Sequence, residues 1–170
     1  MKWKEGIKAS LVASLAYMAI EIPYVYYSFV ANAPLLIAMI EESLPPGAPY
    51  TPEQLYGLAL TTMPFAVAAA TIVFSIVLGL IYPILEGRLP GLPVVKGLTF
   101  ALMVWAATSL LPSLTSPNPL GNVNTLSVSL LAGLCYGLVL GPLFDRFSRR
   151  ASNRVESSGG LEGSRGSHFP

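Results

Sequence analysis

Four long apolar segments run along the chain, separated by shorter polar connections. Their length and helical spacing predict transmembrane helices over about residues 6–30, 52–86, 93–112 and 125–147. A hydrocarbon core of about 30 Å needs about 20 residues of helix, so each segment suffices for one crossing. We therefore expect an all-α membrane protein whose four helices pack in a compact bundle, as one domain over residues 1–147.

A shorter helix is expected between the first two spans. The apolar pattern continues beyond the first span, and one straight helix from Gly6 to Ile40 would be about 52 Å long, more than the bilayer core. Proline disfavours helical geometry at the residue before it, so the chain should break between Asn32 and Pro34. The segment from Pro34 to Glu42 would then form a short interfacial helix on the outer surface.

The second span has a specific start signal. Thr51 fits the N-cap position, Pro52 the first helical position and Gln54 the third, where its side chain can complete a capping box. A kink is expected at Pro64, because proline removes one helical hydrogen bond.

The basic residues all lie on one side of the four-span pattern. They lie before or in the first turn of the first span, in or next to the connection between the second and third, or at and after the end of the fourth: Lys2, Lys4, Lys8, Arg88, Lys96, Arg146, Arg149, Arg150, Arg154 and Arg165. The other two connections, residues 41–54 and 112–124, contain no Lys or Arg. Because cationic loops stay in the cytoplasm during insertion, this distribution predicts a multi-pass plasma-membrane protein with both termini cytoplasmic.

Composition agrees with this class of protein. Hydrophobic residues make up 53% of the chain and charged residues 11%, too little polar surface for a water-soluble globule, so the expected partner is the lipid bilayer. The net charge of +1, without a basic groove, argues against nucleic acid. Residues 148–170 have almost no apolar content and are expected to form a disordered cytoplasmic tail.

Four arginines follow the last span closely: Arg146, Arg149, Arg150 and Arg154. Near the inner leaflet each could add about 1 kcal/mol of attraction to anionic lipid. A topology anchor is the simpler interpretation of this cluster, and contact with anionic lipid is the functional alternative.

Small residues recur every four positions in the fourth span, at Ser129, Gly133, Gly137 and Gly141. They form a stripe almost free of side chains, against which another helix can pack closely. The spacing leaves three partners open: the first span, the third span, or a second copy of the chain. The stripe would also suit helices that slide during a transport cycle.

Glu21 is the one acidic or basic residue deep within a predicted span, and Tyr17 and Tyr24 share its helix face. Insertion of a charged residue at a helix centre costs about 3 kcal/mol, so we expect a neutral carboxyl or one that is hydrogen-bonded to nearby hydroxyls. These three residues are the candidate intramembrane carboxyl site. A structural role beside a kink at Pro23 is the alternative.

A weak internal repeat relates the two halves. The start of the third span matches that of the first, with Tyr17 over Trp105, and the second and fourth spans share a Val-Leu-Gly sequence that ends at Gly79 and at Gly141. Both halves would be hairpins of the same orientation. A duplication would therefore give a parallel repeat about an axis normal to the membrane.

No complete reaction centre is recognisable in the sequence. It contains no nucleotide-binding glycine loop, no H-E-x-x-H motif and no nucleophile elbow, while His168 and Cys135 are each single. We therefore expect no enzyme activity, no cofactor and no metal site.

The third and fourth spans carry a family resemblance. Lys96-Gly97 opens one span, Trp105 lies within it, and the glycine-rich segment from Tyr136 to Gly141 leads into a short basic end. This arrangement resembles the small four-span prokaryotic membrane proteins of the YagU and YqhR type, of unknown function. The resemblance implies a four-helix inner-membrane protein and carries over no catalytic residues.

Two functional hypotheses follow. The first is a non-enzymatic membrane protein that acts through helix packing, as a homo-oligomer or as a subunit of a larger membrane complex. The second is a small proton- or cation-coupled transporter that uses Glu21, a placement similar to that in the small multidrug-resistance transporters. The one-sided distribution of basic residues disfavours the antiparallel dimer in which such transporters work.

Overall fold

The computed structural model describes residues 2–115 and 123–162, with side chains at residues 2–109 and 125–153. In this part of the chain every regular element is a helix, and no strand occurs. The order is α1 (Trp3–Ala31), α2 (Ala33–Ser43), α3 (Pro52–Glu86), α4 (Pro93–Thr115) and α5 (Val123–Glu162). The all-α class expected from the hydropathy pattern is therefore confirmed.

Three helices have the length and apolar composition needed to cross a membrane: α1, α3 and the Thr125–Asn153 part of α5. The apolar part of α4 that the structure describes with side chains is the shorter Pro93–Ser109. Helices of this kind indicate a membrane protein.

The expected helix boundaries between α1 and α3 are confirmed. The backbone N–H and the side-chain amide of Asn32 both donate to the Ser28 carbonyl, which ends α1 before α2 begins. At the start of α3, the Thr51 N–H donates to the Gln54 Oε1 at 3.0 Å and the Gln54 N–H donates to the Thr51 Oγ1 at 3.3 Å. This reciprocal pair is the capping box that the sequence predicted, with Pro52 at the first helical turn.

The last helix differs from the expectation. The sequence placed its end near Phe147 and a disordered tail after it, whereas α5 continues to Glu162. The extension begins with an ion pair between Arg149 and Asp145 one turn apart, 3.0 Å long, and with Ser148 buried. Pairs at this spacing stabilise a helix. A hydropathy pattern does not reveal this local effect, because it registers only apolar content.

The helices pack as two hairpins. One hairpin is α1 with α3, the other is α4 with α5, and α1 joins the two by packing along α5, while α2 lies against α3. At the junction the Tyr82 ring contacts Phe100 and Phe144 edge-on, with centroids 5.1 Å away in both pairs. Tyr82 is fully buried there, so one side chain of α3 connects both hairpins.

Glycines allow the helices of each hairpin to touch through their backbones. A Cβ added to Gly79 would lie 2.8 Å from the Ile7 Cα of α1. In the other hairpin, a Cβ on Gly97 of α4 would lie 2.8 Å from the Gly141 nitrogen of α5. Both distances are too short for any side chain, so these positions require glycine.

The bundle is not closed. No extended packing joins α3 to α4 in the described part of the chain. They meet near the end at which residues 87–92 connect them, through the Tyr82–Phe100 ring contact and a 2.6 Å ion pair between Lys96 and Glu86. Beyond these contacts the two helices leave a gap, which the expectation of a compact bundle did not include.

Candidate functional site

The gap between α3 and α4 forms a cavity of about 410 Å³, here called the α3–α4 cleft. All four long helices contribute to its walls, through Tyr17, Ala70, Thr71, Phe74, Ser75, Leu78, Ala101, Val104, Trp105, Thr108, Ser129, Gly133 and Tyr136. Most of the lining is apolar or aromatic. Small-molecule sites occupy about 300 to 1,000 Å³, so the cleft has the size of a ligand site.

The cleft lies near the middle of the helices. Thr71 on α3 and Thr108 on α4 are each about four turns, or roughly 22 Å, from the 87–92 connection. Between them and that connection, Tyr82 and Phe100 close the cleft. The cleft therefore extends away from that connection, along the gap between α3 and α4.

A buried polar cluster lies beside the cleft. The Ser10 hydroxyl donates to the Ser75 carbonyl at 2.5 Å, and the Ser10 and Tyr136 hydroxyl oxygens are also 2.5 Å apart. Because the single Ser10 proton is used by the carbonyl, Tyr136 is the donor in the second bond. These bonds connect α1 to α3 and to α5, and Ser10 has no exposed surface.

The Trp105 ring is held by a hydrogen bond across the second hairpin. Its indole N–H donates to the Ser129 hydroxyl at 3.1 Å, and that hydroxyl donates to the Leu126 carbonyl at 3.1 Å. The indole donor is thereby satisfied within the protein. What Trp105 offers the cleft is its ring surface.

The hydroxyls of Tyr17 and Thr71 line the cleft and have no hydrogen-bond partner among the described residues. Other threonines in these helices donate to their own backbone, as Thr61 does to the Gly57 carbonyl and Thr108 to the Val104 carbonyl. The Thr71 hydroxyl does not make this usual helical bond. The cleft therefore contains hydroxyls that are available to a ligand.

The predicted carboxyl site is not assembled as one hydrogen-bonded group. Of Glu21, Tyr17 and Tyr24, Tyr17 lines the cleft. The Tyr24 hydroxyl instead pairs with the Thr125 hydroxyl at 3.0 Å. The Glu21 Oε2 is buried and has no partner in the described part of the chain, so the expected bond to a hydroxyl is not formed by that oxygen.

The small-residue stripe of α5 divides into two parts. A Cβ on Gly137 would lie 2.7 Å from the Ala101 Cβ, and one on Gly141 would lie closer still to the Pro93 carbonyl oxygen, so this part packs on α4 of the same chain. Ser129 holds the Trp105 indole. Gly133 lines the cleft and has nothing within 4 Å of an added Cβ.

The arginines after the last span are exposed where the structure describes them. Arg149 pairs with Asp145, while Arg146 and Arg150 extend into the surroundings. The side chain of Arg154 lies outside the described residues, as do the predicted tail residues 163–170. Cys135 is a free, partly exposed cysteine.

Sequence reasoning missed Phe74 and Tyr82 and considered Thr71 only as a possible hydroxyl partner of Glu21, but the internal repeat contained the signal. The offset that places Gly79 over Gly141 also places Thr71 over Gly133, Phe74 over Tyr136 and Tyr82 over Phe144. The first two pairs line the cleft, and the third forms its closed end. The helix-one offset places Tyr17 over Trp105, both of which also line it. The cleft thus lies between equivalent surfaces of the two hairpins.

Comparison with known proteins gives one match. The sequence model of a family of unknown function, DUF6789, matches residues 35–155, from α2 into the end of α5. No curated protein matches the chain, and no solved structure does. The match does not support the YagU and YqhR resemblance specifically.

Proposed function

The chain belongs to DUF6789, a family of unknown function, and from its geometry we propose a four-span integral membrane protein that binds another molecule in the α3–α4 cleft. The proposed role is non-enzymatic. The observation that carries it is the open cleft in an otherwise tightly packed pair of hairpins.

The fourth crossing is α4. Its 23 residues span about 34 Å, enough for the hydrocarbon core, and it packs along α5 through backbone contact at Gly97. With four crossings, all basic residues lie at the cytoplasmic side and both termini are cytoplasmic. The short helix α2, with Glu41 and Glu42 exposed, lies at the outer interface.

The cleft, and not the glycine stripe, is the surface offered to a partner. Gly137 and Gly141 are occupied by α4 of the same chain, so a second chain cannot use them. In α3 and α4, by contrast, Phe74 and Trp105 line an apolar opening at mid-bilayer depth. If the protein acts as an accessory or oligomeric subunit, its partner would therefore bind at this opening.

Topology is tested by thiol labelling in a Cys135→Ser background, which removes the one native cysteine. Ser43→Cys places a thiol at the exposed end of α2, and Gly87→Cys places one where an added Cβ meets nothing within 4 Å. A membrane-impermeant maleimide applied to intact cells should label Ser43→Cys and leave Gly87→Cys unlabelled until the cells are lysed. Labelling of Gly87→Cys in intact cells would refute this topology.

The cleft is tested by tryptophan fluorescence in nanodiscs. The chain has two tryptophans, so Trp3→Phe leaves Trp105 as the reporter. Phospholipids brominated on their acyl chains quench tryptophan on contact and should quench Trp105. Gly133→Phe, which fills the cleft, should reduce this quenching, whereas the exposed control Leu102→Phe should not. Absence of quenching, or equal quenching in both variants, would contradict a cleft open to lipid.

A second candidate function is proton- or cation-coupled transport. The specific observation is the buried Glu21 Oε2 without a partner, one helical turn from Tyr17, which lines the cleft. In vesicles loaded with a pH-sensitive dye, an applied membrane potential should then drive proton uptake that Glu21→Gln abolishes. Equal uptake by the folded variant would remove this candidate.

A further inference from the structure

The geometry points to a specific ligand class for the α3–α4 cleft: a neutral, lipid-soluble molecule with a ring and an oxygen that accepts a hydrogen bond. This inference rests on the proposed function, because it names what the cleft binds. Three features of the cleft carry it: its aromatic walls, the unpaired hydroxyls of Tyr17 and Thr71, and its sideways opening.

The ring is indicated by the aromatic residues around the cavity. Phe74 of α3 and Trp105 of α4 stand on its two walls, with Tyr17 and Tyr136 from the helices behind them. The Trp105 ring cannot rotate freely, since its N–H is bonded to Ser129. Fixed aromatic surfaces of this kind favour a flat ring, which stacks or packs edge-on against them.

The oxygen is indicated by the hydroxyls of Tyr17 and Thr71. Both residues line the cavity, and neither hydroxyl has a partner in the described part of the chain. An unpaired hydroxyl in an apolar site loses its hydrogen bonds to water without replacement. A ligand carbonyl or ether oxygen that accepts from Tyr17 or Thr71 would restore one of these bonds.

A neutral molecule is indicated by the rest of the lining. The described lining residues include no Asp, Glu, Lys, Arg or His. A charged ligand would lose its hydration there, and no lining residue would offer it an opposite charge, which is strongly unfavourable in a medium of low dielectric constant. A volume of about 410 Å³ is at the lower end of the range for small-molecule sites, which suits one or two rings and not a whole phospholipid.

Entry from the bilayer follows from where the cleft is closed. The Tyr82–Phe100 contact and the Lys96–Glu86 ion pair block it toward the 87–92 connection. At mid-depth α3 and α4 do not pack against each other, so the open side faces lipid. A lipid-soluble molecule reaches such a site by lateral diffusion and needs no aqueous path.

The test uses menadione, a naphthoquinone that quenches tryptophan, with the Trp3→Phe protein in nanodiscs of unbrominated lipid. Quenching of Trp105 should be saturable. Tyr17→Phe, which keeps the ring and removes the hydroxyl, should weaken the apparent affinity by about fivefold, the worth of one ordinary hydrogen bond. Gly133→Phe should abolish saturable quenching, and Leu102→Phe should leave it unchanged, because Leu102 is exposed outside the cleft.

Two competitors separate the ring from the oxygen. Tetralone carries a carbonyl on the ring system of tetralin, and should displace menadione at about fivefold lower concentration than tetralin does. Quenching that rises linearly and equally in all variants would mean partitioning into lipid alone and would overturn the inference. Equal displacement by the two competitors would overturn the assigned role of the oxygen.

The outcome is separable from that of the proposed function. Brominated-lipid quenching that persists without saturable menadione binding would leave an open cleft and reject the ligand class. Loss of both signals would reject the cleft itself. If brominated-lipid quenching occurs in nanodiscs holding one copy of the chain and vanishes in discs holding two, a second copy occupies the cleft, and the inference is overturned.

Discussion

The α1–α5 interface and the α3–α4 cleft are equivalent places in two similar hairpins, yet one is packed and the other is open. If the two hairpins are repeats of each other, α1 corresponds to α4 and α3 corresponds to α5. The interface between α1 and α5 then corresponds to the place where α4 faces α3. The packed interface contains Ser10 of α1, which is fully buried and bonded to Tyr136 of α5. The open one contains Phe74 and Trp105, whose equivalents Tyr136 and Tyr17 are also aromatic.

A polar side chain distinguishes the two places. In the packed interface the Ser10 hydroxyl forms bonds to Ser75 and Tyr136 that connect three helices. The position equivalent to Ser10 in the open interface is Leu98, whose side chain forms no hydrogen bonds. A repeated hairpin can thus build a rigid interface on one side and a binding cavity on the other.

The largest effect is expected at Tyr82, where the two sides of the molecule meet. Tyr82→Ala removes the ring between Phe100 and Phe144 and should lower the free energy of unfolding by about 3 to 5 kcal/mol. The Tyr82 hydroxyl is buried without a partner in the described part of the chain, so Tyr82→Phe should be neutral or stabilising. Denaturation in mixed detergent micelles measures both. Comparable losses in the two variants would contradict this account of the junction.

A smaller effect on stability should distinguish Gly137, which packs on α4, from Gly133, which lines the cleft. Gly137→Ala places a methyl group 2.7 Å from the Ala101 Cβ and should destabilise by about 1 to 3 kcal/mol. Gly133→Ala meets nothing within 4 Å and should be neutral or stabilising, because alanine favours helix. The same unfolding assay compares the two. A stable Gly137→Ala protein would show that α4 and α5 do not touch as closely as described.

The hydrogen bonds of the packed interface should contribute less to the free energy of unfolding than the glycine packing does. Ser10→Ala leaves the Ser75 carbonyl and the Tyr136 hydroxyl without their partner and should cost about 1 to 2 kcal/mol. Ser14→Ala is the matched control, since the Ser14 hydroxyl donates to the Leu11 carbonyl within its own helix. Its unfolding free energy should hardly change. Equal values for both variants would remove the cross-helix role of Ser10.

The smallest effect is expected at the closed end of the cleft. Lys96→Met breaks the ion pair with Glu86. The Lys96 side chain is 21% exposed and that of Glu86 34%, so the free energy of unfolding should fall by about 1 kcal/mol or less. The accompanying change should be wider access to the cleft, seen as stronger quenching of Trp105 by brominated lipid. Arg149→Met, which breaks the more exposed pair with Asp145, should not alter that quenching.

Much of the architecture follows from local sequence signals. The all-helical class, the break at Asn32 and the capping box of Thr51 and Gln54 depend on neighbouring residues, and the structure confirms each of them. The three apolar helices suited to cross a membrane follow from composition alone. The continuation of α5 past Phe147 was missed, because residues 148–162 contain few apolar side chains and so lack the hydrophobic pattern that predicts a helix.

The candidate site was predicted only in part. Tyr17 and Gly133 were singled out, but as members of a carboxyl site and of a packing stripe, and the structure places both at the cleft. Thr71 was considered only as a hydroxyl partner of Glu21, and Phe74 was not singled out, because both have ordinary neighbours in the sequence. The glycine spacing predicted close helix packing but did not identify the partner helix, which the structure shows to be α4.

The sequence by itself determined which segments are helices and which of their residues are small, aromatic or charged, since these depend on short-range spacing. Tertiary structure alone decided which helix faces meet. That choice pairs α1 with α5, leaves α3 and α4 apart, and so turns Phe74 and Trp105 into the walls of a cavity. The physical reason is that apolar helices of similar composition offer many faces of comparable hydrophobicity, and only the fit of small against large side chains selects among them.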